Sequence, residues 1–274
     1  MVKASRVKSV FLAFLLGVAL IAHAGMTMAD SWNGVDVTLN GTYNTYPPPT
    51  PNWSATILGN GNLQLTNAAN EAGAAWVNTP IPTANSFTTT FNFTLTYAPP
   101  LSGWPLPAPQ ADGITFAFQN SSTSALGTGG GSLGVGGIPS AAGSAIQTWS
   151  NNTVGFFGPG QDPAALTIKA APFDLGDTSP LAGSETISYN AVTTMLTMTG
   201  QINGSPVSDS LAINLASVYG ATVYAGFTGG SGVGGSDQEI TYWSGITAVP
   251  VPPSMLLLAP GLLGLVGMRR RFKK

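Results

Sequence analysis

The sequence predicts an all-β domain, a two-sheet sandwich of the jelly-roll kind, set between two apolar ends. Three observations predict it. Apolar and polar residues alternate through the middle of the chain, and glycine and proline, 35 and 21 of the 274 residues, break these runs into short pieces. No stretch between the ends sustains a helical period with caps, which argues against alternating helices and strands.

The clearest strand covers Phe87, Thr89, Phe91, Phe93, Leu95 and Tyr97, which alternate with Thr88, Thr90, Asn92, Thr94 and Thr96. Thr89 is the exception on the apolar side of this period of two. Ile114, Phe116 and Phe118 repeat the pattern after a proline-rich connection. Leu196 and Met198 begin a further strand, Leu211, Ile213 and Leu215 another, and Asn203-Gly204 supplies the hairpin turn between them. Asn40-Gly41 and Asn60-Gly61 carry the same turn signal. The glycine-rich run from Gly127 to Gly137 has strand-like sequence on both sides. It reads as an ordered loop of one domain, with a flexible linker as the alternative.

The ends read differently. Lys3, Arg6 and Lys8 precede an apolar run from Val10 to Ile21, too short to span a bilayer and followed by small residues. Residues 1–29 are therefore expected to be a secretory signal, cut after Ala24 or Ala29, with an uncleaved anchor as the alternative. At the other end, Val249, Pro250, Val251, Pro252, Pro253 and Ser254 lead into the apolar stretch Met255 to Met268, and then into Arg269, Arg270, Arg271, Phe272, Lys273 and Lys274. A helix over that stretch reaches about 21 Å at 1.5 Å per residue, short of a hydrocarbon core of roughly 30 Å. Residues 249–274 are thus a marginal membrane anchor whose basic end stays cytoplasmic, with the domain, residues 30–248, outside.

Removing the ends changes the charge. Between Asp30 and Ala248 the only base is Lys169, and it faces all eleven acidic residues, for a net charge of −10. One lysine does not neutralise a row of phosphates, so nucleic acid is excluded as a partner. The single histidine, His23, lies in the signal and there is no cysteine. Ser-His-Asp and Cys-His nucleophilic chemistry, His- or Cys-ligated zinc and disulfides are therefore all absent. A glycoside hydrolase needs two facing carboxylates. The available glutamates are Glu71, Glu185 and Glu239, with no close Glu-x-Asp-x-x-Glu pattern, so no enzyme activity is expected.

Four separated segments stand out. They are Ala111-Asp112-Gly113 before a strand; Thr128-Gly129-Gly130-Gly131-Ser132-Leu133-Gly134-Val135; Ala145-Ile146-Gln147-Thr148-Trp149-Ser150-Asn151; and Gly226-Phe227-Thr228 through Gly232, followed by Gln238-Glu239-Ile240 and Trp243. In this order they resemble the four sugar-binding loops of legume-type (L-type) lectins. Leu63 to Thr66 and Ala74 to Trp76 resemble the early strands of that family. The resemblance spans nearly the whole domain and implies a concanavalin-like jelly-roll β-sandwich that binds carbohydrate.

By that resemblance Asp112 accepts hydrogen bonds from adjacent sugar hydroxyls, Gly131 offers a main-chain N–H, and Asn151 contributes its amide. Val233 and Gly234 add main-chain contacts. Trp149 either stacks on a sugar face or belongs to the core. Taken singly, Asp112 also suits a turn and the glycines suit backbone geometry.

The resemblance also implies calcium and a transition metal behind the sugar site, and here the sequence departs from it. The positions of the family's acidic ligands hold Ala145 and Gln147, a later aspartate is Gly155, and the metal-binding histidine has no counterpart around Thr153 and Val154. Calcium takes six to eight oxygen ligands. Asn151, the Trp149 carbonyl and Asp162 are what remains, so the metal pair is expected to be absent or much weakened.

The C-terminal end is similar to the PEP-CTERM class of sorting signals, in its variant opening Val-Pro-Leu-Pro-Ala, although no glutamate sits in the proline motif. This implies an exosortase-type protease as processing partner and a transient inner-membrane anchor. It also implies a final place on the outer surface or in the extracellular matrix of a Gram-negative bacterium. An ordinary tail anchor is the alternative. The expected function is recognition of extracellular polysaccharide or surface glycans. The alternative is a structural or adhesive matrix protein that keeps the sandwich without sugar recognition.

Overall fold

The computed structural model describes residues 28–43, 55–98, 100, 103, 110–149, 152–165, 171–172 and 174–249. The expected signal core and the C-terminal apolar helix lie outside them. Among the described residues, no helix is long and apolar enough to cross a membrane.

The strands are β1 (Met28–Trp32), β2 (Val35–Tyr43), β3 (Thr56–Ile57), β4 (Leu63–Thr66), β5 (Glu71–Val77), β6 (Ile81–Pro82), β7 (Phe87–Ala98), β8 (Gly113–Gln119), β9 (Ala142–Gln147), β10 (Thr153–Phe157), β11 (Leu181–Asn190), β12 (Met195–Ile202), β13 (Ser205–Ala212), β14 (Thr222–Gly230), β15 (Gly235–Trp243) and β16 (Thr247–Ala248), with one short helix, α1 (Leu215–Tyr219). They form two antiparallel sheets. The first runs β1-β2-β5-β14-β8-β9-β10 with β6 beside β14, and the second runs β13-β12-β11-β7-β15-β4-β3 with β16 beside β7. This is the predicted sandwich.

Aromatic side chains join the sheets. Phe91 of β7 lies 5.9 Å from Phe116 of β8 and 5.1 Å from Phe227 of β14, ring centre to ring centre, and Trp32 stacks on Trp243 at 5.5 Å. The period of two in β7 follows from this: Phe87, Thr89, Phe91, Phe93 and Leu95 are buried, while their neighbours are partly or fully exposed. Thr89 is tolerated inside because its hydroxyl accepts from Trp243 Nε1 at 2.7 Å and donates to the Gly245 carbonyl at 2.9 Å. The alternation ends at Tyr97, which is exposed.

The first sheet is buried on both faces, and this is why β5, β8, β9 and β10 show no alternation in burial. Its outer face carries a second apolar cluster, with Ala74, Trp76, Ala117, Ala145 and Phe157 packed against Leu133, Val135 and Ile138 of the glycine-rich segment. That segment is an ordered loop lying on the sheet, tied at its start by Trp76 Nε1 donating to the Ala125 carbonyl at 2.7 Å.

Two turn and strand expectations are corrected. Asn40-Gly41 lies inside β2, and the turn before that strand is Asn33-Gly34, with φ of 52° and 77°. Asn40 instead reaches across to donate to the Thr123 carbonyl at 2.8 Å. Ile213 and Leu215 are buried but do not continue β13: the Asn214 side chain accepts from Ser217 N and starts α1. Asn60-Gly61 does turn between β3 and β4, and Asn203-Gly204 joins β12 to β13.

Candidate functional site

The loops that precede β8 and follow β14 meet at one end of the first sheet. Asp112 is the residue before β8, and the Ala111–Asp112 peptide is cis. Its backbone is fixed on both sides: its N–H donates to the Gly230 carbonyl at 2.9 Å, and its carbonyl accepts from Thr148 N at 2.8 Å. The side chain is 6% exposed, and its Oδ2 has no hydrogen-bond partner. Burial raises the Asp112 pKa to about 6, against an opposing hydrogen bond from the Gly232 backbone N–H.

Two glycine backbones approach that oxygen closely. A Cβ on Gly232 would stand 2.9 Å from Oδ2, and one on Gly130 would stand 3.9 Å from it. Gly130 also has a φ of 62°, which glycine adopts without strain. The result is a buried carboxylate oxygen without a hydrogen-bond partner, flanked by two backbones. A ligand bearing paired hydroxyls suits such a group, because charge-assisted O–H···O⁻ bonds are the stronger ones.

Gly130, Gly131 and Ser132 are each tied to a different part of the molecule. Gly130 N donates to the Ser231 carbonyl at 3.2 Å, the Gly131 carbonyl accepts from Gln147 Nε2 at 3.4 Å, and Ser132 Oγ donates to Asp162 Oδ2 at 2.9 Å. The loop after β14 is held from the other side. Ser231 Oγ donates to the Ala68 carbonyl at 2.6 Å and accepts from Glu71 N at 3.0 Å, and Gln238 Nε2 donates to the Gly230 carbonyl at 2.9 Å. Glu71 is itself buried, with its carboxylate accepting from Asn67 N and Ala68 N, and desolvation raises its pKa.

The structure thus brings Asp112 and the Gly130–Gly131 loop together. Asn151 lies outside the described residues. The Cβ position of Gly131 faces Ala164 rather than Asp112, and the glycines at the carboxylate are Gly130 and Gly232. Val233 is half-buried and Gly234 buried, immediately beyond Gly232. Trp149 is half-buried. Gln238 appeared in the sequence only as part of the fourth segment and Glu71 only as an available glutamate; their roles in holding these loops, and that of Ser231, come from the structure.

The metal positions do not fit a metal. Ala145 is 1% exposed inside the second apolar cluster, and its strand partner on β10 is Gly155, which has no side chain to offer. Gln147 is buried with its amide engaged: Oε1 accepts from Thr153 Oγ1 at 2.6 Å while Nε2 serves Gly131. Asp162 is turned to Ser132 and Ala164 N. Among the described residues, no three acidic or histidine side chains gather where an ion would sit.

No protein-family model matches the sequence. Among solved structures, the fold is similar to peanut lectin crystallised with a nine-residue peptide, at 22% identity and a TM-score of 0.60, covering 84% of this chain and 100% of that one. It is also similar to a lectin from Bauhinia forficata in complex with GalNAc, at 20% identity and a TM-score of 0.60, covering 82% and 99%. A third is lectin I-B4 from Griffonia simplicifolia in its metal-free form, at 17% identity and a TM-score of 0.57, covering 78% and 93%. At these identities the likeness establishes the legume-lectin sandwich as the fold.

Proposed function

We propose that the protein is an exported carbohydrate-binding protein that recognises a glycan of extracellular polysaccharide or of a cell surface through Asp112 and the glycine loops around it. The observation that carries this reading is the unpartnered, buried Oδ2 of Asp112 held between Gly130 and Gly232. The legume-lectin sandwich supports it, since one neighbour of that fold is a complex with GalNAc. A binding role suits the site better than catalysis, because the nearby Glu71 already has its carboxylate engaged by two main-chain donors. The test is a glycan array probed with the wild-type chain and with Asp112→Ala, each with and without calcium. Retention of particular glycans that is lost in the variant is the expected result. No retention under either condition, or retention unchanged by the substitution, defeats the reading.

Export follows from the ends of the sequence. The signal is removed after Ala24, which leaves β1 whole; a cut after Ala29 would take away Met28 and Ala29, the partners of Leu39 and Thr38. Residues 249–274 anchor the chain in the inner membrane until an exosortase-type protease of a Gram-negative host removes them. Intact-mass analysis of protein from the culture medium and from membranes checks both cuts.

The second reading, a matrix protein without sugar recognition, draws on the second sheet. Its outer face carries hydroxyl pairs such as Thr88 with Ser188 and Thr90 with Thr186, at 3.0 and 2.9 Å. A deletion strain whose biofilm is restored by an Asp112→Ala copy favours this alternative.

A further inference from the structure

We infer that the glycine loop at the Asp112 site is organised by main-chain and side-chain hydrogen bonds in place of metal ions, with Gln147 as the positioning residue. The inference rests on the carbohydrate-binding reading but has its own observations. Three consecutive loop residues are anchored to three separate elements: Gly130 to Ser231, Gly131 to Gln147 of β9, and Ser132 to Asp162. Gln147 links two of the site's pieces, because Thr153 Oγ1 of β10 donates to its Oε1 while its Nε2 donates to the Gly131 carbonyl. One side chain thereby ties the loop to the sheet edge beneath it, and Gly130, the residue before Gly131, borders Asp112 Oδ2.

The chemistry of this link is specific. A carbonyl oxygen accepts only from a donor, so the amide orientation of Gln147 is set by Gly131, and a carboxylate in the same place would meet the Gly131 oxygen with no proton between them. At a cation site the opposite holds, since an ionised oxygen there strengthens the ligand set. The strand partner of the neighbouring Ala145 is a glycine, and the cluster around Ala145 contains Trp76, Leu133 and Phe157, surroundings that solvate no ion. Gln147→Glu therefore separates the two modes of organisation: it breaks a hydrogen-bonded strut and would improve a metal ligand.

The experiment uses the chain from which signal and tail are absent by natural processing, and three readouts. Metal analysis after dialysis and thermal melting with EDTA, with calcium chloride and with manganese chloride come first; no bound metal in molar proportion and no change in melting temperature are expected. Amide hydrogen exchange then compares wild type with Gln147→Glu and with Thr153→Val, which loosens the strut without introducing charge. Exchange at the hydrogen-bonded loop amides Gly130, Leu133 and Gly134 is expected to be about tenfold faster in both variants, the loss of one hydrogen bond. Amides of β7 and β11, which are paired within the second sheet, are expected to be unchanged, an outcome that general destabilisation does not give. Retention on a neutral-glycan array, unaltered by EDTA in the wild type and reduced in both variants, completes the set. Stoichiometric metal, a melting temperature lowered by EDTA, or a Gln147→Glu chain that takes up calcium and keeps the loop protected overturns the inference. A wild-type chain that retains no glycan defeats the proposed function alone, while melting and exchange still decide how the loop is held.

Discussion

Replacing Asp112 by Asn tests whether the site is kept at the expense of the fold. Burial holds the carboxyl at a pKa of about 6, against an ordinary value of 3.8. The unfolded chain releases this proton near pH 4, whereas the folded chain keeps it until about pH 6. Across that window the folded state binds more protons, so stability falls as pH rises, and the whole loss is present above pH 6. The rise in pKa corresponds to about 3 kcal/mol. Asn removes the titrating proton and leaves an unpartnered polar group where Oδ2 was, a cost of about 1–3 kcal/mol that is the same at every pH. The diagnostic quantity is therefore the change in the gap between variant and wild type. Urea unfolding at pH 4 and pH 7 is expected to show the variant gaining about 2.4 kcal/mol on the wild type between the two, while its glycan retention disappears. Parallel stability profiles would refute the argument, because they would mean that Asp112 titrates in the folded chain as it does in the unfolded one.

Glu185 offers a comparison away from the site. It is fully buried on β11, with Ser144 Oγ of β9 donating to Oε2 at 2.9 Å and Oε1 unpartnered, and burial lifts its pKa to about 7. Glu185→Gln keeps the Ser144 bond, and its stability relative to wild type should rise by about 3 kcal/mol between pH 4.5 and 8, with glycan retention unaffected; urea midpoints at the two pH values measure it. Gly232→Ala puts a methyl group 2.9 Å from Asp112 Oδ2, so glycan retention should fall about tenfold or more while unfolding stays cooperative. Ala145→Glu drives a carboxylate into the cluster around Trp76 and Phe157. A loss of about 3–5 kcal/mol is expected, and a denaturation midpoint that calcium leaves unmoved checks that no cation site is restored.

The sandwich was legible because its signals are local. The alternation of β7 reports one buried face, and turn pairs such as Asn203-Gly204 report a backbone conformation that few other residues adopt. Asn40-Gly41 misleads because an Asn-Gly pair is also compatible with a strand when the asparagine finds a distant acceptor, here the Thr123 carbonyl. Ile213 and Leu215 mislead because a residue spacing of two buries both whether the chain extends or coils, and the cap at Asn214 decides. At the site, Asp112 and the glycine loop were recognisable as a pattern of residue types. Which glycine borders the carboxylate was not, since Gly130 and Gly131 are identical in sequence and differ only in the φ and the neighbours that the fold gives them. The role of Ser231 was invisible for a related reason: it holds the backbone of Glu71, and sequence carries no mark of a partner 160 residues away.

The charge of the domain bears on what such a site selects. Ten other acids and one lysine share the domain with Asp112, itself a carboxylate, so a uronate or sulfated chain approaching it is repelled both at long range and at contact. A neutral glycan meets neither penalty, and its hydroxyls supply the donors that a buried, unpartnered carboxylate lacks. Hydrogen bonds from those hydroxyls favour the ionised form, so binding pulls the Asp112 pKa back down and returns to the complex part of what burial cost the free protein. Selectivity of this kind needs neither a cation nor a basic residue. It needs a carboxylate placed out of water and left without a partner, and Asp112 Oδ2, with Gly130 and Gly232 beside it, is such a group.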